Sequence, residues 1–191
     1  MLIDVKIGFA ITGSFCTHSA ALSAAEDLVR RGADVYPIVS AIVRDTATRF
    51  MEAGAMVKEL ERITSHKVIS TIPEAEPIGP GKLLDAVCVA PCTGNTLGKM
   101  ANGITDTAVL MACKSHLRNQ RPVVLAVSTN DGLGAGAKNI GMLFNYKNIF
   151  FVPFRQDDPI NKPMSLVARF DLLPATLECA LEGKQLQPVL T

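Results

Sequence analysis

Short and nearly uninterrupted apolar runs, separated by longer stretches of helical periodicity, narrow most what this chain can fold into. The runs lie at residues 5–11, 35–39, 86–90, 123–127 and 149–152 and are rich in Val, Ile and Phe. A strand covered by helices on both faces has no solvent side, so its sequence loses the in–out alternation of a half-exposed strand. Helical periodicity falls between the runs, over residues 20–31, 46–64, 96–101, 108–119 and 136–145, with a last helix expected at 165–182. Strand and helix alternating at this spacing imply right-handed crossovers and a mostly parallel sheet. The expected architecture is a three-layer α/β domain, flavodoxin- or Rossmann-like, spanning residues 1–191 as one unit.

Two details refine the reading. Gly32 follows the first helix where a C-cap glycine belongs. Pro37 lies inside the second run, which suits a sheet edge or a strand end and not the middle of a central strand. The segments 73–82 and 130–136, rich in proline or glycine, are expected to be loops.

Composition removes several classes of function. Nineteen basic against eighteen acidic residues leave a net charge of +1, which gives no electrostatic case for nucleic acid or an anionic membrane. The apolar start, MLIDVKIGFAITGS, lacks a positive leader region and is broken by Lys6 and Gly8, so it does not read as a signal peptide. No run approaches the ~18 apolar residues of a membrane helix. Five cysteines without a CxxC pair argue against a disulfide framework or a structural zinc, and no metal site is expected. These features fit a cytoplasmic protein. A mean hydropathy of +0.26 points to apolar surface buried between copies of the chain.

Ligands of open parallel sheets bind beyond the carboxyl ends of the strands, where strand order reverses. The residues just beyond each run are polar. After the first come Thr12, Gly13 and Ser14, hydroxyls beside free N–H groups at a helix start, a combination that holds anions. After the second comes Ser40. After the third come Cys92, Thr93, Gly94, Asn95 and Thr96, with Pro91 expected to end the strand and Asp106 to cap the next helix. After the fourth come Ser128, Thr129, Asn130 and Asp131. Together they predict one neutral, hydrogen-bonding site for a phosphate-bearing small molecule. His66 and His116 read as surface residues near helix ends, and Cys16 and Cys92 read as structural thiols more readily than nucleophiles.

The block APCTGNTLGKMANG followed by ITDTAVLMA, together with the N-terminal ITGS, resembles the flavin-dependent cysteine decarboxylase superfamily. Within it the segments GFAITGSFCT, TATRF, AEPIGP, PVVLAVSTND, KNIFFVPF and GKQLQP are similar to the dipicolinate synthase branch, over nearly the whole chain. The resemblance implies FMN, with its phosphate on Gly13 and Ser14 and its ring against Ser40 and the Cys92–Asn95 segment. It implies an oxidoreductase subunit making pyridine-2,6-dicarboxylate from a dihydro- or hydroxytetrahydrodipicolinate in a sporulating mother cell, with a dehydrogenase-like A subunit that carries NADP. It implies homo-oligomers, trimers or dodecamers.

The chain departs from the superfamily at two places. Glu76, Pro77, Ile78, Gly79 and Pro80 stand where the decarboxylases carry a catalytic His, and Ser128–Asp131 replaces their substrate clamp. Prenyltransferases of the group carry an Arg near Ser128. A dicarboxylate substrate calls for cations, and Arg49, Arg155 and Arg169, with Asn130, are the candidates. His18 and Asp131 are candidate bases, and no catalytic residue is assigned. Decarboxylation, prenyl transfer and a non-catalytic binding role remain as alternatives.

Overall fold

The computed structural model describes residues 1–49 and 52–191. The five expected strands are β1 (Lys6–Ile11), β2 (Asp34–Val39), β3 (Ala86–Cys92), β4 (Val123–Thr129) and β5 (Ile149–Phe151). They pair in parallel in the order β2-β1-β3-β4-β5. Nearly every residue of β1, β3 and β4 is buried, as continuous apolar runs require. The helices are α1 (His18–Arg30), α2 (Ala41–Asp45), α3 (Ala55–Thr64), α4 (Ile72–Ala75), α5 (Gly94–Ala101), α6 (Ala108–Leu117), α7 (Ala137–Phe144) and α8 (Leu173–Leu181). One face of the sheet carries α1 and α8, and the other carries α5, α6 and α7. The three-layer α/β architecture read from the sequence is present.

Local chemistry explains the details. At the end of α1 the Gly32 and Ala33 amides bond to the carbonyls of Val29 and Leu28, a Schellman closure. β2 is an edge strand, which resolves Pro37. The amides of Asp34 and Ser40 point inward to Val5 and Ile11, while that of Val39 points outward to Ile69. Pro37 shares the outward parity of Val39, so its missing N–H removes no bond to β1, and its carbonyl accepts from the Ile69 amide.

The chain differs from its sequence pattern in four places. The helix expected over 46–64 is α3 alone, starting after Gly54, and residues 46–49 are irregular; positions 50 and 51 lie outside the described residues. The segment 73–82 contains α4, closed by a capping box between Thr71 and Glu74, and a 3-10 turn over Glu76–Ile78. β3 runs through Pro91 to Cys92, with a shift in its pairing to β4 between Val89 and Cys92. The helix expected at 165–182 is only α8, because 165–168 belong to a hairpin of β6 (Phe154–Asp158) and β7 (Lys162–Ala168). The short apolar run there suits helix or strand equally, and pairing with β4 decides it.

That hairpin shapes the edge of the sheet. β4 divides its outer edge: residues 123–125 pair with β5, and Ser128 and Thr129 pair antiparallel with Val167 and Leu166 of β7. Ser165 Oγ donates to the Thr129 carbonyl at 3.2 Å, and the Leu133 amide to that of Met164 at 3.0 Å. Gly132 lies so close to β7 that a Cβ there would sit 2.6–2.9 Å from three atoms of Leu166, including its Cβ. Gly132→Ala is therefore expected to destabilise by about 1–3 kcal/mol, the usual range for overpacking, read as a lower urea midpoint.

His116 is buried, contrary to the surface position expected from its place near a helix end. Its Nε2 has no partner among the described residues, and burial pushes its pKa down to about 4, aided by the charge of Arg121 and opposed by the Asp85 backbone. The unfolded chain titrates this imidazole near 6.5, so between pH 6.5 and 4 the unfolded state binds the extra proton. Stability is expected to fall as pH drops through that window, by about 3 kcal/mol in full. His116→Gln should flatten the dependence in denaturant melts.

Candidate functional site

The strand order reverses between β1 and β3: from β1 the chain moves outward to β2, and from β3 it moves the other way to β4. Their carboxyl ends are joined there by one hydroxyl. Thr12 Oγ1, buried, donates to the Pro91 carbonyl at 2.7 Å and accepts from the Thr93 amide at 3.2 Å. The Thr12 carbonyl in turn accepts from His18 Nε2 at 2.9 Å, which fixes the Nε2–H tautomer. Burial pushes the His18 pKa down, so the ring is neutral at pH 7 and holds the turn in place.

Above this junction lies a cavity of about 390 Å³. Thr12, Gly13, Ser40, Thr93, Asn95 and Thr96 all line it, as the strand-end reading predicts. Thr93 caps α5, accepting from the Thr96 amide at 3.3 Å, and the two hydroxyls lie 3.0 Å apart. Ser40 precedes α2 without capping it, and its buried Oγ has no partner among the described residues. A buried hydroxyl left unpaired costs about 1–3 kcal/mol, which makes Ser40 Oγ a candidate ligand contact.

Sequence reasoning missed several lining residues: Ala41, Ile42, Lys99, Thr107 and Leu110. Lys99 was legible in principle, since it follows Asn95 and Thr96 by four and three residues and shares their helix face. Its Nζ is 2.6 Å from Asp106 Oδ2. Asp106 is thus an ion-pair partner, and the cap expected of it is made by Thr107, which accepts from the Leu110 amide.

Other expected residues lie apart from this cavity. Ser14 and Ser128 bond to each other at 2.7 Å, with Thr17 Oγ1 3.4 Å from Ser128, in a separate hydroxyl cluster. The Cys92 thiol is fully buried beside Cys88 and Cys113, and burial pushes its pKa up. It is core. Gly94 abuts Thr129 and Asp131, whose side chains bond at 2.5 Å. Asn130 is exposed in the turn beyond β4. Arg49 is exposed in the irregular segment after α2, and not on a helix. Arg155 is exposed on β6, and Arg169 forms a two-pronged pair with Asp171 at 2.7 and 2.9 Å. None of the three arginines lines the cavity. Glu76–Ile78 packs against α6 and is likewise absent from its lining. Among the described residues no acidic, His or Cys group gathers as a metal site, and no helix is long and apolar enough to cross a membrane.

A hydroxyl-lined cavity at the switch point of a parallel sheet is the site of a cofactor-binding α/β protein. The chain belongs to the Flavoprotein family, whose model matches residues 1–167. The dipicolinate synthase B subunit of Bacillus subtilis (strain 168) is 51% identical over 185 residues, covering 97% of this chain and 92% of that protein, and the two share a family. The crystal structure of the dipicolinate synthase B subunit from Bacillus halodurans superposes with a TM-score of 0.91 at 46% identity, covering 100% of this chain and 97% of that one. AnUbiX (PadA1), solved in complex with FMN and dimethylallyl pyrophosphate, shares the fold at a TM-score of 0.64 and 18% identity, over 78% of each chain. Family membership supports a flavin as the ligand.

The Thr12 hydroxyl is the testable element of this geometry. Thr12→Val keeps the shape and deletes the bridge, leaving the Pro91 carbonyl without that donor. It is expected to cost about 1–3 kcal/mol, with Thr12→Ser closer to the parent, in equilibrium denaturation.

Proposed function

We propose that this chain is the flavin-binding subunit of a dipicolinate synthase, acting as one domain over residues 1–191. The observation that carries the reading is the 51% identity to the B subunit of the Bacillus subtilis dipicolinate synthase, sustained over 97% of the chain. The cavity residues fit FMN. Ser40 offers an unpaired buried hydroxyl, and Thr93, Asn95, Thr96 and Thr107 supply donors and acceptors without net charge. Ile42 and Leu110 give the apolar contact a flavin ring needs.

FMN bound there would supply a two-electron acceptor for aromatising a dihydropyridine dicarboxylate. The chain's own residues bind and orient. Ser40 and Thr96 hydrogen-bond the ligand, Ile42 and Leu110 exclude water, and His18 holds the first turn. Under this reading a dehydrogenase-like A subunit carries NADP, the dicarboxylate is bound with cations such as Arg49, Arg155 or Arg169, and copies of the chain associate as trimers or dodecamers in the mother-cell cytoplasm.

A second reading, in which the chain binds the intermediate without doing chemistry, has a specific observation in its favour. Lys99 is the only titratable residue lining the cavity among the described residues. His18 is committed to Thr12, and Asp131 to Thr129. Reconstitution with the A subunit, with and without FMN, separates the two. Dipicolinate formation that depends on FMN, and that falls in Ser40→Ala with FMN affinity weakened on the order of fivefold, supports the redox reading. Full activity from flavin-free protein supports the binding role.

A further inference from the structure

The hydroxyls of Ser14, Thr17 and Ser128 gather outside the cavity above β1 and β3, at the carboxyl end of β4. Thr17 Oγ1 donates to the Ser14 carbonyl at 2.8 Å and is committed there. When the buried Ser128 donates to Ser14 across their 2.7 Å contact, the half-buried Ser14 hydroxyl keeps a proton for an outside acceptor. Strand pairing places a cation beside this cluster. Ser128 stands opposite Val167 of β7, and Val167 stands opposite Arg155 of β6. Residues directly opposite one another project from the same face of a sheet, so Ser128, Val167 and Arg155 form one row. Strands lie about 4.8 Å apart, which sets the serine and the arginine roughly 10 Å apart at Cα, with Val167 as an apolar floor between them.

The turn after β7 identifies the face. Its Asp171 lines a groove with Ala20, Ser23 and Asp27 of α1, and Arg169, with a smaller contribution from Arg155, holds its carboxyl below the usual range. Arg155 therefore lies on the α1 side of the sheet, where the turn from Ser14 leads into α1. The carboxylates nearby are taken, Asp171 by Arg169 at 2.7 Å and Asp157 by Lys162 at 2.8 Å. Among the described residues no hydrogen bond or ion pair takes up the exposed Arg155 guanidinium.

We propose that this row is the subsite for a carboxylate of the substrate, a planar ring acid, with Arg155 as the cation that reads its charge and the Ser14 and Ser128 hydroxyls as its hydrogen-bonding edge. The proposal rests on the dipicolinate synthase reading above and singles out one of the three arginines. A guanidinium meets a carboxylate through two parallel N–H bonds, and Val167 gives a flat ring an apolar surface to lie on. Arg169 already spends that fork on Asp171. Arg155 is exposed on the hairpin, so Arg155→Gln is expected to fold.

The test compares pyridine-2,6-dicarboxylate with its uncharged diamide, which keeps the ring and its shape, in calorimetric titrations of the purified chain with FMN present. The parent should prefer the dicarboxylate by about tenfold or more. Arg155→Gln should lose most of that preference by weakening the dicarboxylate alone, and Arg155→Lys should restore part of it. In the complex with the A subunit, Arg155→Gln should raise KM for the ring dicarboxylate substrate about tenfold and leave kcat within about twofold, the mark of lost binding. A preference unchanged in Arg155→Gln, or an equal loss for both ligands, overturns the proposal. A parent that binds the two equally, or binds neither, overturns it too, and the synthase reading stands if the complex still forms dipicolinate. A complex that forms none overturns that reading and the proposal with it.

Discussion

The Thr12 hydroxyl joins the two strands between which the chain changes its direction of travel across the sheet. Parallel strands emerge side by side with their carboxyl ends open, and nothing in the ladder itself closes the gap between neighbouring β–α turns. One buried oxygen does so here, donating to Pro91 and accepting from Thr93. The turn after β1 and the start of α5 are thereby held at fixed separation. His18 anchors the same residue from the other side through its carbonyl. The cavity floor is therefore set by backbone and by two side chains, Thr12 and His18, that are unavailable for chemistry. Its walls, Ser40, Asn95, Thr96 and Lys99, are the parts left to meet a ligand.

The division between floor and wall explains why the site is poor in reactive groups. The groups that look reactive in the sequence are committed elsewhere. Cys92 lies in the core beside Cys88 and Cys113, where desolvation keeps the thiols protonated. Asp131 faces Thr129 and the start of α5. The remainder is a hydrogen-bonding surface with one positive charge, better suited to orienting a reactive cofactor than to supplying a nucleophile or base.

Much of this was legible in the sequence, for physical reasons. Strands buried on both faces have one sequence signature, so β1 to β5 stand where the apolar runs place them, and strand-end chemistry follows from topology. The hairpin of β6 and β7 was not legible. Arg155, Gln156 and Asp157 are exposed and Leu166–Ala168 is too short an apolar run, so only contact with the end of β4 makes them strands. In the site, hydroxyls directly after strands were found, while Lys99 and Thr107 were not, because their placement depends on how α5 and α6 pack. The arginines marked by their chemistry, Arg49, Arg155 and Arg169, fall away from the cavity, since residue type does not say which way a surface side chain points.

The edges of the parallel sheet carry a further consequence. At β2 the outward groups of Pro37 and Val39 are taken up by Ile69. At β5 the Gln185 amide bonds both the N–H and the C=O of Phe151, standing in for a missing strand. Each margin is thus sealed by the chain's own atoms. Growth by adding strand to strand, the route to open fibres, is blunted at these two margins. Copies of this chain that meet beside β2 or β5 are therefore steered to helix faces and loops, where association can stop at a closed number of subunits.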